Sequence, residues 1–501
     1  MMTETLTLDG FTLTIATLIA ATHSHHVQVS LSATALEKAQ KAHAIVQAAV
    51  HGDALIYGLN TGVGQNKDKK IAPDQMADFN RDLIYSHLVA VGDNVSELVA
   101  RATLIIKLNA YLRACSGVSL ELIELLKVLV EKNITPVMKK TSSLGESDLG
   151  TLAFVGLVVI GEGEVYYQGV IRKTADVFAA LAIEPLKLGA KEGLSIVSSN
   201  AYSQAQAAFV SYQSHQFVDQ LEQIYALSME GFDANSNLLV QSHPRTTRFT
   251  GLARTTENVL KHLENSYLLD GHKRTYIQDP LSFRNFTSVA GAFRDNLTYF
   301  SRHVTESLQV SDENPYVDHT SEQIYSTANY DTTALALAAQ LLSSSYVQLA
   351  RLSAFRIFKL ADSQVTGLPR FLAANEQMLG FQTVQKTVAT LDVTIQDLAS
   401  PIAQNFYAIS SGVEDYATNL PEILQKIEAI LEQFSYLSAI ELIHSTQAID
   451  LRKLTTENLQ LGKKTQVLYD KVRVLSPFFD HDRNISLDIT LLKKELYEPI
   501  I

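Results

Sequence analysis

The feature that most constrains this chain is a hydrophobic stripe of helical period that runs far longer than any strand. After Asn419, the residues Ile423, Ile427, Ile430, Leu431, Phe434, Leu437 and Leu442 recur at helical spacing, and Pro421 stands where a first helical turn tolerates proline. This spacing predicts a long helix packed in a bundle. Similar stripes surround Phe293 to Val310 and Thr333 to Phe358, and no Pro/Gly-rich linker, repeat or low-complexity tract interrupts the chain between Leu188 and Asp480. Shorter patterns precede them: Leu104, Ile105, Leu108 and Leu112, then Leu122, Ile123, Leu126, Leu129 and Val130 with Ser119 as a cap. The apolar run from Leu152 to Ile160 is well short of the roughly 20 residues of a membrane span, and it reads as a buried helix.

Strand signal is confined to two places. Leu6 to Leu8 and Phe11 to Ile15 alternate around Asp9-Gly10, which predicts an opening hairpin; Glu164 to Tyr167 and Val170-Ile171 flank Gln168-Gly169, which predicts a second. Gly161 to Glu164 forms the joint that leads into it. The fold expected is mainly α, with small N-terminal β-hairpins, an N-terminal domain over 1–190 and a central and C-terminal helical bundle domain over 191–501.

Charge narrows the partners. The 501 residues carry 41 basic and 53 acidic side chains, a formal charge of −12 that disfavours nucleic acid and anionic membranes and favours a small-molecule partner. One cysteine, Cys115, cannot form an internal disulfide, and Glu4 and Asp9 stand where a secretory leader would be positive, so a cytoplasmic location is expected. His23-Ser24-His25-His26 reads as a polar turn, because a closed metal site needs a further ligand and fixed geometry; no metal is expected.

The segment Tyr57-Gly58-Leu59-Asn60-Thr61-Gly62-Val63-Gly64 places three glycines around a tyrosine and an amide. It is not a phosphate loop, since no Gly-Lys-Ser/Thr follows and no βαβ unit frames it. Alone it is a tight turn with one packed tyrosine, although a phenol near suitable dipoles can serve as a base.

Read in order, Tyr57 to Gly64, Ser86-His87, Lys191 to Leu194, Gln278 to Arg284, Asp312 to Pro315 and Glu414-Asp415 resemble the motif series of the histidine and phenylalanine ammonia-lyases, across most of the chain. The resemblance implies an aromatic amino-acid lyase-like fold, mainly α-helical, assembled as a homotetramer whose active sites combine residues of several subunits. In that family an Ala-Ser-Gly triad cyclises to methylidene-imidazolone (MIO), an electrophile that captures the substrate. By resemblance Tyr57 is the base that removes the β-proton, with Tyr330 and Glu414 also catalytic. Arg284 grips the carboxylate, as a planar guanidinium can, and His87 contacts the substrate ring. Asn60, Gly64, Ser198, Gln278 and Asn329 complete the implied substrate contacts.

The departures are as specific as the matches. Where the family order is Gly-Ala-Ser-Gly-Asp-Leu, this chain has Gly145-Glu146-Ser147-Asp148-Leu149, so the alanine is replaced and the second glycine is missing. Leu281 takes the place of a second catalytic tyrosine, and Ser198 that of an asparagine. Cys115-Ser116-Gly117 is no substitute triad, because it ends a helical run, and Ser411-Gly412 reads as a loop. No cofactor is expected, and MIO is not expected to mature from Glu146-Ser147-Asp148. The expectation is an enzyme of this lyase family that performs an MIO-independent elimination, addition or isomerisation on an amino-acid-like or aromatic carboxylate substrate. Two alternatives stand beside it: an ammonia-lyase that matures an unusual Glu-Ser-Asp triad, and a noncatalytic subunit or metabolite-binding protein. Glu146 and Asp148, if both lie at helix N-termini, would give the pocket negative charge in place of an electrophile.

Overall fold

A computed structural model describes residues 4–237, 239, 248–270, 277–456 and 459–497. Its frame is a bundle of long helices, among them Ala201–Phe232, Phe286–Ser307, Thr333–Leu360 and Leu420–Lys453. Asn419 precedes the last of these, and Pro421 lies in its first turn. Ser119 caps Leu120–Glu131 by accepting from the Leu122 amide at 3.3 Å, and Leu149–Val159 is the buried helix that the apolar run predicts. Among the described residues, no helix is long and apolar enough to cross a membrane.

Helices Ala201–Phe232 and Leu420–Lys453 are buried on nearly all sides, and Glu222 and Glu441 inside them are each paired with an arginine. Arg356 forks onto Glu441 at 2.6 and 2.9 Å, with Ser228 and Ser353 donating to the same carboxylate. Arg294 forks onto Glu222 with both contacts at 2.7 Å. Such pairs hold helix register, because removing one partner strands the other charge in the core. Aromatic stacks add to the seam, with Tyr225 on Phe286 at 4.0 Å and Phe232 on Phe283 at 4.1 Å.

The N-terminal end corrects one expectation. Glu4–Leu8 pairs in parallel with Val27–Leu31, and helix Ile15–His23 crosses between them, so no hairpin forms at Asp9-Gly10. Local chemistry explains the difference: the Asp9 carboxylate accepts from the Phe11 and Thr12 amides, and Thr14 and Thr17 form a reciprocal capping box. Both turn the chain into a helix rather than back along the strand. The second hairpin forms as predicted, Glu164–Tyr167 against Val170–Lys173, with Gln168 and Gly169 both at positive φ as a tight two-residue turn demands.

Helices Thr250–His262 and Phe286–Ser307 touch backbone to backbone at Gly251 and Gly291, where a Cβ on Gly291 would lie 2.5 Å from the Leu252 backbone. Gly291→Ala is therefore expected to destabilise the fold by about 1–3 kcal/mol through overpacking, read as a lower denaturation midpoint with an unchanged m-value.

Candidate active site

A cavity of about 580 Å³ opens where seven segments of the chain converge. The first is the glycine loop. Asn60 holds it together, accepting from the Ile56 amide and donating to the Ala54 carbonyl, both at 2.8 Å. These bonds commit the Asn60 amide to its own loop, and the residue is not part of the cavity wall. Tyr57 and Gly64 are, and the Gly64 N–H donates to the Tyr57 phenol oxygen at 3.1 Å, which fixes that oxygen's position.

His87 ends helix Met76–Ser86. Its Nδ1 lies 2.7 Å from the Leu83 carbonyl oxygen, which can only accept, so Nδ1 carries the proton and the neutral ring keeps an acceptor at Nε2. The helix-terminal bond and the place in the cavity wall therefore coexist.

The turn before Leu149–Val159 separates two acids that the sequence places side by side. Ser147, at φ 71°, donates its N–H to Asn200 at 2.9 Å, and its hydroxyl meets that of Ser198 at 3.4 Å. Asp148 points into the protein: its carboxylate accepts from the Ser143 hydroxyl at 2.7 Å and from the Ser203 amide and hydroxyl at 2.8 and 2.6 Å. Burial nevertheless pushes Asp148 up to about 6, with those hydrogen bonds pulling the other way. Glu146 lines the cavity, and its Oε1 is buried with no hydrogen-bond partner. Burial first, and then Asp331, push it up to about 8. Of the two acids expected at the pocket, Glu146 faces the cavity, whereas Asp148 does not, because its carboxylate is consumed by the start of helix Ala201–Phe232.

The opposite wall contributes Tyr330 and Asp331, and a further stretch adds Tyr407, Glu414, Asp415 and Tyr416. Glu414 is exposed and accepts from Ser410 at 2.6 Å, so it is both a loop acid and a cavity residue. Tyr330 is raised by burial, then by Glu146 and Tyr57. Among the described residues of this chain no lysine or arginine lines the cavity, whereas Glu146, Asp331, Glu414 and Asp415 do.

Below the cavity the motifs lock together. Lys191 pairs with Glu313 at 2.8 Å and donates to the Ser116 carbonyl at 2.9 Å. Asp312 accepts from the Ser199 hydroxyl and the Asn200 amide, both at 2.7 Å, which sets the Ser198 turn against Ser147. Asp331, Tyr407 and Tyr416 escaped sequence reading; Asp331 adjoins Tyr330, but nothing in the local pattern marks the two tyrosines.

Other predicted residues lie elsewhere. Asn329 is exposed and does not line the cavity although its neighbours Ala328 and Tyr330 do. Gln278, Leu281 and Arg284 sit by Phe283, which stacks on Phe232 at the far end of the 32-residue helix that begins beside Ser147. At 1.5 Å per residue that helix is ~48 Å long, so the segment lies at the opposite end of it from the Ser147 turn, beyond the reach of a side chain. One chain does not bring Arg284 and Gln278 to Tyr57.

Comparison with known proteins agrees with this architecture. The aromatic amino acid lyase family model matches residues 13–474. The histidine ammonia-lyase of Halalkalibacterium halodurans is 30% identical over 497 residues, 99% of this chain and 96% of that one. Ergothionase from Treponema denticola, an ergothioneine-degrading enzyme solved with desmethyl-ergothioneine sulfonic acid, superposes with a TM-score of 0.95 at 34% identity over 98% of each chain. Histidine ammonia-lyase from Trypanosoma cruzi shares the fold, with a TM-score of 0.88 at 24% identity over 98% of this chain and 93% of that one. A family match over this length, joined to a helical frame that gathers the Tyr57 loop, His87 and the altered Glu146 turn into one cavity, shows that the chain belongs to the aromatic amino acid lyase family.

Proposed function

We propose that this protein eliminates an amine from an amino-acid-like substrate carrying an aromatic ring and a carboxylate, with Tyr57 as the base and without MIO. The observation that carries this reading is Glu146: a carboxylate enters the cavity where the resemblance implies an electrophile, while the Tyr57 loop opposite it is intact. In the step proposed, the deprotonated Tyr57 oxygen takes the β-proton, the C–H pair becomes the new double bond, and the amine leaves with the Cα–N pair. His87, with its Nε2 acceptor, suits a ring that carries an N–H. The residues of the turn do not fit a self-cyclised group. Its nucleophile would be the Asp148 amide nitrogen, which donates to the Ser199 carbonyl at 2.7 Å while the Asp148 side chain is tied to Ser143 and Ser203.

The likeness to ergothionase makes ergothioneine, a betaine with a sulfur-bearing imidazole ring, the first substrate to assay. Tyr57→Phe is expected to lower kcat by about 10²–10⁴ with folding intact, and the intact mass of the wild type is expected to equal that of its sequence. Unchanged turnover in the variant would remove Tyr57 from the mechanism, and a deficit of two waters within 146–148 would restore the MIO route.

We also propose that Arg284 serves the cavity of another copy in a homotetramer. Its distance from its own cavity supports this, as do Ile277 and Leu281, which are 90% and 60% exposed on the same segment and suit coverage by a partner. Co-refolded mixtures of inactive Tyr57→Phe and Arg284→Ala chains should then regain about a quarter of wild-type activity, from sites that draw both residues from unmutated segments. No recovery would reject a shared site.

A further inference from the structure

Arg284 stands on a piece of structure too small to hold itself. Helix Leu281–Arg284 is four residues long, and a single helical turn gains little from its own hydrogen bonds. What fixes it comes from other segments. Phe283 is buried and stacks on Phe232 at 4.1 Å, and just before the turn the Asp279 carboxylate accepts from the Asn235 amide at 2.7 Å. Ring burial sets the depth of the turn but only weakly its rotation, since apolar attraction has no direction.

Two buried side chains supply that direction. The Tyr225 hydroxyl donates to the Phe283 carbonyl at 2.8 Å, and Nη1 of Arg356 donates to the Ser282 carbonyl at 3.3 Å. Successive carbonyls are each held by a buried donor, so the turn cannot rotate without stranding both. Positions i and i+3 share a helix face, and the face opposite the buried Ser282 and Phe283 carries exposed Leu281 and half-buried Arg284.

The donors are themselves fixed. Arg356 uses Nε and Nη2 on Glu441, at 2.6 and 2.9 Å, and its guanidinium lies 5.3 Å from the Tyr225 ring and 5.0 Å from the Phe286 ring. Burying a guanidinium with a carboxylate carries a desolvation cost that an apolar pair avoids, so stability alone does not account for it. The planar fork has a use that a lysine could not copy: two nitrogens bind Glu441 while the third reaches the Arg284 turn. Tyr225, Arg356 and Glu441 lie on three different long helices.

Building on the shared-cavity reading of Arg284, on which this depends, we propose that Arg356 and Tyr225 are positioning residues for Arg284. Their two hydrogen bonds orient the Leu281–Arg284 turn so that its guanidinium meets a substrate carboxylate in the cavity of another copy. The register of three long helices thereby becomes the direction in which one guanidinium points.

The probes are imidazolepropionate and propylimidazole, which share the ring and differ in the carboxylate, titrated calorimetrically into the full-length protein. The wild type is expected to prefer imidazolepropionate by at least ~10-fold, and Arg284→Ala to lose that preference. Tyr225→Phe, which keeps the ring stack and removes only the hydroxyl, is expected to cut the preference by about 3–10-fold and to leave propylimidazole affinity unchanged. Arg356→Lys is expected to act alike; it is the harsher change because it weakens the Glu441 fork, and Tyr225→Phe decides the matter should that variant not fold. Adding Tyr225→Phe to Arg284→Ala is expected to change neither affinity further, because a positioning residue acts only through the residue it positions. Full carboxylate preference in Tyr225→Phe overturns the positioning role. So does an equal loss for propylimidazole, or a further loss in the double variant, since either marks general damage to the bundle. The shared-cavity reading fails by a different result: an Arg284→Ala protein that keeps the carboxylate preference removes Arg284 as the clamp, and the positioning role with it.

Discussion

Two buried carboxylates at the start of helix Ala201–Phe232 hold this structure in working order. Asp148 accepts from the Ser203 amide and hydroxyl, and Asp312 accepts from the Asn200 amide and the Ser199 hydroxyl. A helix N-terminus leaves amide donors unsatisfied and carries partial positive charge, so acids there meet both needs at once. Because Asp148 follows Ser147 directly and Asp312 adjoins Glu313, the same joint positions the altered turn and the Lys191 pair. The longest helices then carry that alignment through the bundle.

The joint also explains why the shortened turn has the consequences it does. Asp148 anchors the helix, so its backbone nitrogen sits against the Ser199 carbonyl rather than free to attack a neighbouring carbonyl carbon. Ser147, in the left-handed region, then swings Glu146 to the opposite side of the turn and into the cavity. One replaced alanine thereby presents a carboxylate to the cavity at the position where the resemblance implies an electrophile-forming unit. Leu281 fits this picture differently: it lies with Arg284, far from the cavity of its own chain.

Much of the fold was legible because its signals are local and redundant. Stripes of apolar residues mark the long helices, Ser119 and Pro421 mark two of their starts, and Gln168-Gly169 marks a hairpin. The opening strands were misread because Asp9-Gly10 serves a hairpin and a strand-to-helix turn equally well; the Thr14–Thr17 capping box decided between them. At the site, Tyr57, His87, Glu146 and Glu414 could be singled out because each sits in a recognisable motif. Tyr407 and Tyr416 could not, since they belong to a loop without periodicity that reaches the cavity only through long-range folding.

The sequence by itself determined a helical lyase scaffold and a damaged triad, because helical period, caps and motif order are written along the chain. Only tertiary structure decided which acid of that triad faces the cavity and how far Arg284 lies from it. The backbone angle at Ser147 and the partners of Asp148 separate adjacent carboxylates into a buried anchor and a cavity wall. A helix of 32 residues, rising 1.5 Å at each, puts ~48 Å between its Ser147 end and its Phe232 end, and Arg284 sits at the latter beside Phe283. Neither is a property of residue type or spacing; both depend on contacts between segments far apart in the chain.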